Sequence, residues 1–73
     1  MSKITHVELK QIPIFGNMHS IDVIVKTNDS EKPIKLFFYF PDEISFTQNE
    51  LIGLTIPEAH SLRTKKDIAY LQN

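Results

Sequence analysis

The first forty residues alternate apolar and polar side chains with a period of two, in three separate runs. No other feature restricts the chain as much, because a period of two suits a half-buried strand and not a helix. In the first run Thr5, Val7, Leu9 and Gln11 alternate with His6, Glu8 and Lys10. Pro13, lacking an N–H, is expected to end that ladder, and Gly16-Asn17 to supply a turn. In the second run Ile21, Val23 and Val25 face away from Asp22, Ile24 and Lys26. A polar loop at 28–32 closes at Pro33, and a third run follows. There Ile34, Leu36, Phe38 and Phe40 take one phase, and Lys35, Phe37 and Tyr39 the other, up to Pro41-Asp42. Short connections favour pairing of sequential strands. The expectation is a three-stranded antiparallel β-meander with strands at about 3–12, 19–28 and 33–40.

Face chemistry predicts the register. Leu9 opposite Val23 also sets Val7 against Val25, and on the other face it brings Lys10 to Asp22, a favourable charge pair. In the second hairpin, Val23 opposite Phe38 brings Val25 to Leu36 and Ile24 to Phe37, but also Lys26 to Lys35. A slip of two residues therefore stays open there, whereas a slip of one would mix the faces.

After Glu43 the chain carries helix punctuation. Capping-box spacings occur at Thr47/Glu50, Thr55/Glu58 and, more weakly, Thr64/Asp67. Gly53 suits the position after a one-turn helix at 48–52, and Pro57 the first turn of the next helix. At about 100° per residue, Ile68 and Leu71 lie well off the face of Ala59 and Leu62. Two short helices at 56–63 and 65–72 are predicted on that basis. The fold class is thus α+β in a single domain over residues 1–73. Its sheet occupies about 3–41 and its short C-terminal α-helices about 48–72, packed on the face carrying Leu36, Phe38 and Phe40. The segment 44–47 is open to an alternative reading as a fourth short strand.

Composition bounds the function. A chain of 73 residues makes one domain, stable by about 4–11 kcal/mol at the usual per-residue value, and close to the lower limit for folding without added support. Cysteine is absent, which removes disulfides, thiolate catalysis and cysteine zinc sites. Eight basic residues against nine acidic ones give a net charge of −1, unlike the basic excess of a nucleic-acid coat. No apolar run approaches the ~18 residues of a membrane span. Ser2-Lys3 leads straight into the first strand with no apolar signal core, so a cytoplasmic protein is expected.

Chemistry-bearing residues are sparse. His6, His19 and Asp22 could approach across the first hairpin as metal ligands, but the register gives Asp22 to Lys10, and exposed structural histidines are the simpler reading. Glu50 and Glu58 are accounted for as helix caps, and Asp67 as either a cap or an exposed acid. No G-x-S-x-G surrounds a serine, and two glycines make no phosphate loop. No catalytic residue, metal or cofactor is expected, and the chain reads as non-enzymatic. Two clusters are left. His60, Arg63, Lys65 and Lys66 concentrate positive charge near a helix end and are the candidates for an alternative nucleic-acid-binding reading, although such charge also complements a helix dipole. Ile24, Phe37 and Tyr39 interrupt the polar face of the sheet and are the candidates for a protein interface, unless the helices or Ile12, Ile14 and Phe15 fold over them.

Ten isoleucines against two alanines, and seven lysines against one arginine, are the bias of an AT-rich genome. In size, bias and lack of catalytic groups the chain resembles the small accessory proteins encoded by bacteriophages and mobile elements of such bacteria. That resemblance implies a regulator or inhibitor that binds a bacterial protein. A homodimer is the expected assembly, joined through the third strand's edge or the face carrying Ile24, Phe37 and Tyr39.

Overall fold

A computed structural model describes residues 2–72 of the chain. Three strands, β1 (Ile4–Phe15), β2 (Met18–Thr27) and β3 (Ser30–Tyr39), form one open antiparallel sheet in the order β1-β2-β3. A one-turn helix α1 (Gln48–Leu51) and a longer helix α2 (Ile56–Gln72) follow. The architecture is the expected small α+β fold.

The β1–β2 register is the one face chemistry predicts, with Val7 opposite Val25, Leu9 opposite Val23 and Lys10 opposite Asp22. β1 does not stop at Pro13. It continues to Phe15, which pairs with Met18 around the Gly16-Asn17 turn, where Gly16 has φ 56°. β1 is an edge strand, and a proline whose missing N–H would have faced outward costs the ladder nothing. The second hairpin is also tighter than a five-residue loop. Thr27 pairs with Ser30, and Asp29 accepts a hydrogen bond from Thr27 Oγ1 at 2.7 Å and another from the Ser2 hydroxyl.

In β3 the first of the two registers is not met; the slip of two that stays open holds before Leu36, where Val25 pairs with Ile34. Val23 pairs with Phe37 and Ile24 with Lys35, so Leu36 is an inserted bulge residue. Beyond it, the strand is displaced by one residue and its faces are exchanged. Phe37 and Tyr39 turn inward, whereas Phe38 turns outward. The slip of one that face chemistry excluded is accommodated because a bulge confines it to one end of the strand.

The core lies between the inner sheet face and the helical segment. Ile4, Val23, Val25, Leu36, Tyr39, Ile44, Phe46, Leu51 and Ala59 form it, with Val7, Leu9, Ile21, Phe37, Leu54 and Leu62 at its margin. Residues 44–47 add no strand, but Ile44 and Phe46 are buried in the core, and the Phe46 ring centroid lies 5.1 Å from that of Tyr39 and 5.2 Å from that of Phe37. Thr47 and Glu50 form the first capping box, and Thr55 and Glu58 exchange the same pair of bonds at the start of α2. Gly53, with φ 92°, turns the chain after α1 so that Gly53 N–H donates to Ile4 O and Ile4 N–H donates to Leu54 O, both at 2.8 Å.

α2 is continuous, not two helices. Thr64 Oγ1 donates to His60 O at 3.1 Å within the helix, and the Arg63–Asp67 ion pair at 2.7 Å spans the expected break. The apolar residues whose angles point to a break are not part of the core: Ile68 and Leu71 are exposed.

Candidate protein-contact face

The helices cover the inner face of the sheet and leave the outer one open. Alternation from the paired Lys10 and Asp22 puts Glu8, Lys10 and Ile12 of β1 and Ser20, Asp22 and Ile24 of β2 on this face. Phe38 joins them from β3, opposite Asp22. The face has two halves. Toward the β2–β3 turn it is charged, with His6 beside Lys26, Glu8 beside Ile24, and Asp22 reached by Lys35 at 3.6 Å. Toward the β1–β2 turn it is apolar. Phe38 meets the ring of Phe40 edge-on at 5.8 Å, Ile12 flanks the small, buried Ser20, and the hairpin tip carries Ile14, Phe15 and Met18. Phe15 is 81% exposed, Met18 56% and Phe38 46%.

Of the three predicted interface residues, the structure leaves only Ile24 on this face. Tyr39 is 5% exposed and belongs to the core, where burial pushes its hydroxyl pKa up, partly offset by the backbone of Phe46. Phe37 is half-buried against Phe46 and the ring of His60, whose centroid is 5.7 Å away. The Leu36 bulge is the physical reason: it gives the outward phase to Phe38. Leu36 to Phe40 is apolar in both phases, so periodicity alone does not say which aromatic faces out. Ile14, Phe15 and Met18 carry a clearer signal, since large apolar residues flanking a two-residue turn have no core within reach.

The basic cluster is brought together, but much of it is engaged inside the molecule. Arg63 donates from Nε and Nη2 to Phe38 O at 3.3 and 3.1 Å, pairs with Asp67, and lies 5.5 Å from the Phe37 ring centre. Lys66 donates to Ser45 O at 2.5 Å and to Glu50 Oε1 at 2.7 Å, with its ammonium 4.4 Å from the Phe46 ring centre. The bond from Lys66 holds the Glu50 carboxyl below its ordinary pKa, and the Thr47 backbone N–H adds to the effect. Lys65 is exposed and, with Glu50, Leu54, Glu58 and Leu62, lines an open groove of about 520 Å³ between α1 and α2. Among the described residues, no three histidine or carboxylate side chains are grouped to hold a metal ion. No helix among them is long and apolar enough to cross a membrane.

Comparison with protein-family models, with curated proteins and with solved structures found no match to this chain.

Proposed function

We propose that the protein is a small non-enzymatic protein-binding module that works through the apolar half of its outer sheet face. The carrying observation is that Phe38, Phe15, Ile14 and Met18 lie exposed at one end of the sheet, on the side that no helix of the described residues covers. Apolar side chains grouped over a few hundred Å² mark contact sites more often than they mark inert surface. In biological form the module fits a phage- or mobile-element-type regulator or inhibitor of a bacterial protein, acting in the cytoplasm. The nucleic-acid alternative is less well supported, because Arg63 and Lys66 would have to leave Phe38, Ser45 and Glu50 to reach phosphates.

The test compares the unmodified chain with Phe15→Ser/Phe38→Ser as baits in lysate of the source cell. Both baits should be folded by circular dichroism, and a partner captured by the first should be missing from the second. Equal capture by both removes the outer face from the reading. Titration with DNA and RNA at two salt concentrations is the control. Tight binding that falls steeply with salt and is lost in Lys65→Glu would replace the protein-contact reading with the nucleic-acid one.

A further inference from the structure

We infer that a second copy of this chain pairs with the open half of the β1 edge, joining two sheets into one six-stranded sheet about a two-fold axis at Gln11. The inference goes beyond the outer-face reading and does not depend on what that face binds.

An open sheet has two edges, and each unpaired N–H or carbonyl on them is a template for another strand. The β3 edge is guarded. Pro33 lies within it, Lys32 and Lys35 flank the proline, and the outward carbonyl of Phe38 is held by the Arg63 guanidinium. The first half of the β1 edge is also occupied. Ile4 bonds to Leu54 and Gly53, and Val7 O accepts from Gln48 Nε2 at 3.0 Å. Since Val7 O points to the edge, alternation points the backbone groups of Leu9, Gln11 and Pro13 the same way. Among the described residues these edge groups have no partner; Pro13 and Lys10 guard this half more lightly, since no side chain holds the Leu9, Gln11 or Pro13 carbonyl as Arg63 holds that of Phe38.

The shape of the molecule favours a second copy as occupant. A folded monomer of 8.4 kDa exposes about 4,600 Å². This chain exposes 5229 Å², an excess of roughly 600 Å², near the ~800 Å² that each partner buries in a standard interface. Its radius of gyration of 12.7 Å exceeds the ~11 Å typical of the length, and the slab measures 37 × 27 × 15 Å. A two-fold antiparallel contact needs only one open segment, because the same strand serves as donor and template. Near-neutral net charge sets no general repulsion between copies.

Side-chain chemistry selects the register. An axis at Lys10 opposes two lysines. An axis at Leu9 sets the occupied Val7 against Gln11. An axis at Ile12 sets Gln11 against Pro13, leaving the Gln11 carbonyl without a donor. With Gln11 on the axis, its N–H and carbonyl bond reciprocally to their copies, Leu9 N–H reaches the Pro13 carbonyl, and the missing proline N–H costs only the Leu9 acceptor. Lys10 then lies beside Ile12 of the other copy, and the two glutamine amides meet.

Sedimentation across a wide concentration range should show a monomer–dimer equilibrium, with the Leu9 and Gln11 amides protected from hydrogen exchange only at the high end. Gln11 is exposed, so Gln11→Glu and Gln11→Lys should fold normally, and each should weaken the dimer several-fold by opposing like charges. Mixing the two variants should restore association as a heterodimer. A monomer at every concentration overturns the inference, and so does a dimer indifferent to both charge variants. Phe38→Ser tests the outer face separately: a dimer lost there but kept in the Gln11 variants places the contact on the face and not on the edge.

Discussion

Lys66 connects three parts of the molecule with one ammonium group, bonding Ser45 O and Glu50 while lying over the Phe46 ring. Lys66→Met keeps the stem and removes the charge. The charge-assisted bonds are worth about 1.5–3 kcal/mol in burial, but partial exposure screens them, so a loss of about 1 kcal/mol in urea unfolding is expected. The same contact sets an acid dependence. The folded-state pKa of Glu50 lies below its ordinary value, so its contribution to stability is complete above that ordinary value. That contribution is lost as pH falls through the lowered folded value. Unfolding midpoints measured down the acid range should show this step in the unmodified chain and a smaller one in Lys66→Met. At this scale the helix starts were legible, because Thr47/Glu50 and Thr55/Glu58 act within four residues of chain. The engagement of Arg63 and Lys66 was not, since their partners at Phe38, Ser45 and Glu50 come from distant segments.

Among the elements, β3 decides which aromatics stabilise the fold and which lie exposed. Tyr39→Ala should cost about 3–5 kcal/mol, much of what such a domain has, and leave the chain largely unfolded at moderate denaturant. Phe38→Ala should cost no more than about 1 kcal/mol, since its ring is half-exposed and faces away from the core. Equal losses in the two melts would contradict the bulge at Leu36. The β1–β2 pairing was readable because Val7, Leu9, Val23 and Val25 contrast with Glu8, Lys10, Asp22 and Lys26. Leu36-Phe37-Phe38-Tyr39-Phe40 has no such contrast, so its register depends on contacts with Phe46 and α2 that no local pattern contains. The continuity of α2 is hidden for a related reason: an apolar residue such as Ile68 or Leu71 reads the same in sequence whether it is buried or exposed.

As a whole the molecule is a two-layer slab 15 Å thick, so few of its core residues lie far from solvent. If two copies pair, mass action raises the melting temperature with protein concentration, and Gln11→Glu should flatten that dependence. Scanning calorimetry over a hundredfold concentration range measures both. The bonds from Gly53 and Leu54 back to Ile4 also bear on how the chain is made. On the ribosome, the meander is complete in sequence once Tyr39 has been added, yet the start of β1 gains its edge partners only when Leu54 arrives. Until α1 and Leu54 dock, the inner face is bare and the β1 edge is open along its full length. A second copy that pairs with this edge before Leu54 joins the fold would therefore meet a longer open strand than the finished molecule offers.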